Sequence, residues 1–255
     1  MKKIIIFRFH DHPRICQNRL RFLKRLNDLP IYGLFGGGDQ DIHKRYCAHY
    51  LEHFYTIRGK RPEWKWKHFD LALRDWYKKA GHSVDFDVAY VIEWDLLLLD
   101  SIDRVFPRIT RNGVGLTGLT DLSNVEDKWS WVAKEPYRRE WLKLKSLVKR
   151  RYGYEGPYYA SLGPGLSVSK NFLDAYSSEK VPEYCNDEVR VPLFASALGF
   201  RLIDTGFYRR WRSPKIHRHF NCKNIPISLE TIREEQKKSN GRRAFHPYRK
   251  LFHDF

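Results

Sequence analysis

Lys3-Ile4-Ile5-Ile6-Phe7-Arg8-Phe9 and Ile31-Tyr32-Gly33-Leu34-Phe35 are the stretches on which the fold turns. Each is a short apolar run rich in Ile and Phe, the pattern of a strand buried on both faces. Between them Leu20, Leu23 and Leu26 recur at i+3, with Arg19, Arg21, Lys24 and Arg25 on the other side. Residues 14–28 therefore read as an amphipathic helix, entered at Pro13 and ended before Pro30. Gly36-Gly37-Gly38 stops the second strand. Strand, helix, strand in that order predicts an α/β fold.

Working outward, residues 64–80 read as a helix with Trp66, Phe69, Leu73, Trp76 and Tyr77 on one side, stopped near Gly81. Val88 to Ile92 and Val114 to Leu119 read as strands, and residues 136–151 as a basic amphipathic helix with Trp141 and Leu144 inward. A helix is expected from about Asn171, another over 188–199, a short strand at 200–203, and one helix near 228–238. From Arg209 the tail reads as basic and irregular, a segment that could order on substrate. The expectation is one α/β domain over 1–255, with regular strand–helix alternation over 1–120 and an elaborated half at 121–255.

The 255 residues carry 47 Lys and Arg against 30 Asp and Glu, a net charge of +17. Two segments hold nearly all of it: residues 128–152 are net +7 and residues 201–255 net +9, leaving +1 for the other 175. Basic patches of this kind suit polyanions, although they are also the ordinary composition of a solvated surface. An aromatic content of 15% excludes disorder, because side chains of that bulk are enough to close a core. Apolar runs such as Ile4 to Phe7 are far shorter than the roughly 20 residues of a membrane helix. Arg8 and His10 interrupt that run too early for a signal peptide. Cys16, Cys47, Cys185 and Cys222 lie far apart, which argues against a zinc ribbon and a disulfide framework. The expected compartment is cytoplasmic.

The most informative chemistry lies in Val88-Ala89-Tyr90-Val91-Ile92-Glu93-Trp94-Asp95. Residues two apart in a strand share a face, so Glu93 and Asp95 are expected to converge. Paired carboxylates repel unless a cation neutralises them, and oxygen ligands suit Mg²⁺ or Mn²⁺. In open α/β sheets ligands bind beyond the carboxyl ends of strands, where these residues fall. A strand end turning to solvent fits the same spacing.

A strand, then Glu93-Trp94-Asp95, then an apolar run resembles the DxD region of GT-A-fold glycosyltransferases, with Glu in place of the first Asp. The resemblance extends through the chain in order, and implies a Rossmann-like nucleotide-binding half at 1–120 and an acceptor half at 121–255. It implies that Phe9, His10 and Asp11 lie near the base and ribose, and that Trp66, Lys67 and Asp70 lie in the region that touches the nucleotide. Gly163-Pro164-Gly165 resembles the glycine-containing strand of the acceptor half. Asn186-Asp187-Glu188 resembles the segment whose carboxylate is the general base of inverting members, and Ala244-Phe245-His246-Pro247 the late histidine of the metal site. The implied enzyme moves a sugar from a nucleotide-sugar donor, with a UDP-sugar the first guess, to a hydroxyl of a glycan or lipid-linked acceptor. Glu93, Asp95 and His246 would hold Mn²⁺ or Mg²⁺. Trp94, Arg249 and Lys250 would stand by the donor, and Glu188, or Asp187 beside it, would be the base. Asp187 and Glu188 also fit a helix N-terminus favoured by the macrodipole, and His246 a turn before Pro247.

Other readings compete. Phe9-His10-Asp11-His12 contains the H-x-H that opens many metal-dependent hydrolase barrels, but eight regular βα units are not countable. A nuclease could use the same acidic pair, and Trp129, Trp131 or Trp211 could stack bases, yet no nucleic-acid motif is present. Helix 136–151 could lie on an anionic inner leaflet, which fits a lipid-linked or anionic acceptor, although packing on the core explains its apolar side equally. Arg242, Arg243, Arg249 and Lys250 around His246 suit a diphosphate better than a duplex.

Overall fold

A computed structural model describes residues 1–208, 211 and 214–253. In chain order the elements are β1 (Lys3–Phe9), α1 (Pro13–Leu26), β2 (Ile31–Phe35), α2 (Gln40–Cys47), β3 (His53–Thr56), α3 (Pro62–Lys67) and α4 (Phe69–Lys79). β4 (Val88–Glu93), β5 (Leu97–Leu98), α5 (Ile102–Val105), β6 (Gly113–Asp121), α6 (Ser130–Ala133) and α7 (Tyr137–Tyr152) follow. The remainder comprises β7 (Tyr159–Ser169), α8 (Lys170–Ser178), α9 (Asp187–Ala197), β8 (Arg201–Asp204), α10 (Pro214–His217), α11 (Leu229–Gln236) and β9 (Ala244–Phe245).

Seven strands form one sheet in the order β3-β2-β1-β4-β7-β6-β8. The β3-β2-β1-β4 part is parallel, and β7 runs antiparallel to both β4 and β6. Helices cover it, so Ile4, Ile5, Ile6 and Phe7 are all at most 1% exposed, as a two-sided burial requires. This is the mixed α/β class expected from the opening strands. The parallel register sets Arg8 beside Glu93. The carboxyl ends of β1 and β4 therefore open side by side.

Several expectations need correction. The helix anticipated over 64–80 is two helices, α3 and α4, separated at His68. Strand alternation is not what brings Glu93 and Asp95 together: β4 ends at Glu93, and the chain turns there, with the Leu96 amide donating to the Glu93 carbonyl. Arg209, where the irregular tail was expected to begin, lies outside the described residues. The described part beyond it packs on the rest of the chain. Phe245 and Phe252 are fully buried with Leu97, Leu99 and Phe22, and β9 pairs with β5. Among the described residues no helix is long and apolar enough to cross a membrane.

Asp70, expected by the nucleotide, is buried at 2% exposure and lines neither of the two cavities that border Arg8. Its carboxylate accepts from Arg190 Nε at 2.9 Å and from the Tyr176 hydroxyl, and Arg190 is itself fully buried. Arg190 Nη1 also donates to the Tyr184 and Cys185 carbonyls. Burial opposes the charge on Asp70, but the guanidinium outweighs it and holds the carboxyl below its ordinary range. Removing one partner of such a pair leaves an uncompensated buried charge. Arg190→Met is expected to lower unfolding stability by about 3–5 kcal/mol. Asp70→Leu combined with Arg190→Met should recover much of that loss, and chemical denaturation of the two variants checks both.

Candidate active site

Two segments distant in sequence meet beyond the ends of β1 and β4. Glu93 closes β4, Asp95 follows the turn, and His246 arrives from β9. His246 Nε2 stands 3.4 Å from Asp95 Oδ1 and 3.8 Å from Glu93 Oε2. One ligand atom from each of the three lies within 4.8 Å of the others. His246 Nδ1 sits 2.8 Å from the Asn221 carbonyl. That contact requires the proton on Nδ1, which turns Nε2 toward the carboxylates with its ring fixed, as metal-ligating histidines are held. Two hard oxygens and an imidazole nitrogen are a donor set that fits Mn²⁺ or Mg²⁺.

The electrostatics fit a site built for positive charge. Burial opposes ionisation of Asp95, but His246 and Arg249 outweigh it and hold the carboxyl well below the usual range. Burial likewise opposes a charge on His246, and Asp95 and Glu93 reverse this and raise its pKa. Arg249 Nε donates to Asp95 Oδ2 at 2.9 Å, and Arg8 Nη1 to Glu93 Oε1 at 2.7 Å.

The C-terminal segment that supplies His246 and Arg249 is tied to α1. Asn18 exchanges two hydrogen bonds with the Phe252 backbone, donating at 2.9 Å and accepting at 3.1 Å. Arg19 donates to the carbonyls of Tyr248 and Lys250, and the Tyr248 amide donates to the Asp95 carbonyl. Sequence periodicity assigns Arg19 to the polar side of α1, but it is 1% exposed because the tail covers it.

The triad opens into a cavity of about 590 Å³, and Glu188 stands on its wall with Asp187. Glu188 is the second residue of α9. Its Oε1 accepts from the Gly163 amide at 2.9 Å and its Oε2 from Asn186 Nδ2 at 3.2 Å. The backbone is anchored as well. Pro192 lies inside α9 and has no N–H to give the Glu188 carbonyl four residues earlier. The Ser161 hydroxyl on β7 donates to that carbonyl instead, at 3.0 Å. Burial pushes the Glu188 carboxyl up to about 7, against the pull of the Gly163 amide and Asn186. Burial, with the Asp70 charge, also raises Asp187.

Of the residues expected at the site, His10, Trp66, Lys67, Trp94 and Arg249 line this cavity along with the triad and the Asp187–Glu188 pair. Lys67 Nζ lies 3.6 Å from Glu140 and over the Tyr137 ring. Trp94 is 4% exposed and packs against both His10 and His12. The two histidines of the H-x-H motif therefore flank an indole. Phe9 and Asp11 border a second, apolar cavity of about 680 Å³, which shares Arg8, His10 and Trp66 with the first. Gly37 lines it too, and a Cβ there would fall 2.2 Å from the His10 carbonyl oxygen, so the backbone reaches this close only as glycine. Lys250 is exposed and borders neither cavity.

Arg8 went unassigned in the sequence reading. A charged residue inside an apolar strand was the available signal, but its partner depends on which strand lies beside β1. Trp129, Trp131, Tyr208 and Trp211 also line the main cavity. Three of them were visible as aromatics, but only as base-stacking candidates.

No protein-family model and no curated protein sequence matches the chain. A solved crystal structure of the galactosyltransferase LgtC, in complex with donor and acceptor sugar analogues, is similar at 15% identity and a TM-score of 0.44. The alignment covers 79% of this chain and 72% of that one.

The raised Glu188 pKa has a consequence for stability. Its folded value of about 7 exceeds the ordinary 4.5, so the unfolded chain releases this proton first and stability falls as pH rises from 4.5 through 7. Glu188→Gln should therefore raise Tm at pH 8 by roughly 3–6 °C, with the gain disappearing near pH 4.5. Thermal melts of both proteins across that range check it.

Proposed function

We propose that the chain is a metal-dependent glycosyltransferase that uses a nucleotide-sugar donor, UDP-sugar first, and inverts configuration at the transferred carbon. The observation that carries this reading is the meeting of Glu93, Asp95 and His246 at the carboxyl ends of parallel strands, in a cavity whose wall also bears Glu188. Ligands of α/β sheets bind at such strand ends. A carboxyl with a pKa near 7 suits a general base working at neutral pH.

The roles follow from position. The apolar cavity bordered by Phe9, His10, Asp11 and Trp66 would take the base and ribose. A divalent ion on Glu93, Asp95 and His246 would supply Lewis-acid charge for the departing diphosphate. Arg249 adds fixed positive charge at the same carboxylates. Glu188, its carboxylate oriented by the Gly163 amide and Asn186, would accept the proton of the attacking acceptor hydroxyl. Its pKa predicts that the ionised form prevails above about pH 7. Trp129, Trp131 and Trp211 offer flat apolar faces on the acceptor side, which suits the C–H faces of a glycan. A lipid-linked acceptor and peripheral contact at the inner face of a membrane, through the basic α7, are part of this proposal, as is a cytoplasmic location.

A thermal-shift screen of UDP-, GDP-, CMP- and dTDP-sugars with Mn²⁺ tests the reading. One donor is expected to raise Tm only when metal is present, and Asp95→Ala should abolish the shift. A shift unchanged in Asp95→Ala would overturn the metal assignment. With the donor in hand, kcat/KM should rise with pH through about 7, and Glu188→Gln should lower kcat by about 10²–10⁴-fold.

A further inference from the structure

Arg8 stands on the wall common to the two cavities. Its guanidinium lies 4.2 Å over the Phe69 ring, and Nη2 donates to the Lys65 and Trp66 carbonyls, each at 3.2 Å. Those contacts anchor one edge of the group. The other edge, Nη1, is given to Glu93 at 2.7 Å, in a pair whose side chains are only 13% and 16% exposed. Across the triad Arg249 is paired with Asp95 in the same way. Two carboxylates are thus balanced by two guanidiniums before His246 is counted, and a divalent cation arriving at Glu93 and Asp95 adds two positive charges to a cluster with no net negative charge. In a partly buried site that excess needs an anion close by.

We propose that Arg8 is a phosphate-binding residue that Glu93 occupies until a cation takes the carboxylate, so that metal binding at Glu93 frees Nη1 for the donor diphosphate. This rests on reading the two cavities as a nucleotide-sugar site. In a nucleotide sugar the diphosphate lies between nucleoside and sugar. A donor with its nucleoside in the apolar cavity and its sugar beside Glu188 therefore crosses the wall at Arg8. The planar guanidinium suits that task because it can hold the two carbonyls with one edge and a phosphate oxygen with the other.

Calorimetry with two simple probes tests the exchange: inorganic pyrophosphate in metal-free buffer, and Mn²⁺ alone. Glu93→Gln is expected to bind pyrophosphate about tenfold more tightly than the wild type, because Nη1 is released from its carboxylate. Loss of a negative charge would favour an anion by itself, so the double variant decides. Arg8→Gln with Glu93→Gln should lose most of the gain, and Arg8→Lys with Glu93→Gln should keep most of it, which separates charge from misfolding. Arg8→Gln alone should bind Mn²⁺ at least as tightly as the wild type, since a competitor for Glu93 is gone. A gain that survives in Arg8→Gln/Glu93→Gln, or Mn²⁺ affinity that falls in Arg8→Gln, would overturn the proposal. The pyrophosphate arm contains neither metal nor sugar. A wild type that fails the nucleotide-sugar screen sinks the transferase reading without altering that comparison.

Discussion

The buried Asp70–Arg190 pair is the constraint on which the Glu188 side of the cavity depends. It joins α4 to the first turn of α9, and Arg190 also caps the Tyr184 and Cys185 carbonyls just before that helix. Glu188 and Asp187 begin the same turn, so their positions follow from where Arg190 is held. A buried pair of this sort is a weak source of net stability, because desolvation offsets most of the attraction. Its contribution here is geometric. It leaves α9 one place to start, and the Gly163 amide and Ser161 hydroxyl then set the Glu188 side chain and backbone from β7.

The side formed by Glu93, Asp95 and His246 is organised by a different device. Glu93 belongs to the sheet, but His246 and Arg249 arrive more than a hundred residues later on a segment with very little regular structure of its own. That segment is held by side chains of α1, chiefly Asn18 and Arg19, and by a small apolar cluster under β5 and β9. The first helix of the chain thus holds the segment that brings His246 and Arg249 to the cavity wall. Arg19 and Asn18, which touch none of the triad atoms, are therefore part of what sets the position of His246.

Much of this was readable beforehand, for particular reasons. Ile4 to Phe7 and Val88 to Ile92 are continuous apolar runs, and such runs have few uses other than strands buried on both faces. Glu93 and Asp95 stood out because carboxylates that interrupt an apolar run are hard to explain by packing. The sequence shows Asp70 beside Trp66 and Lys67 but not its buried partner Arg190, which lies 120 residues away. Lys250 misled because the turn after His246 carries Arg249 to Asp95 and leaves its neighbour in solvent. The helix 64–80 was read as continuous since its apolar side spans both pieces, whereas the break at His68 is set by Arg8 drawing on the Lys65 and Trp66 carbonyls and by Phe69 packing beneath it.

By itself the sequence determined the class of the fold, the strand that leads into the acidic pair, and the types of residue available for chemistry, because these depend on periodicity and composition within short windows. Only the tertiary structure decided which of those residues share a site. Strand order set Arg8 opposite Glu93, the turn after β4 brought Asp95 round, and the tail docked on α1 delivered His246. It also decided protonation. Glu188 and Asp95 are both carboxyls, yet burial lifts one toward neutrality while His246 and Arg249 hold the other ionised. The difference lies in neighbours drawn from distant parts of the chain, which no local pattern records.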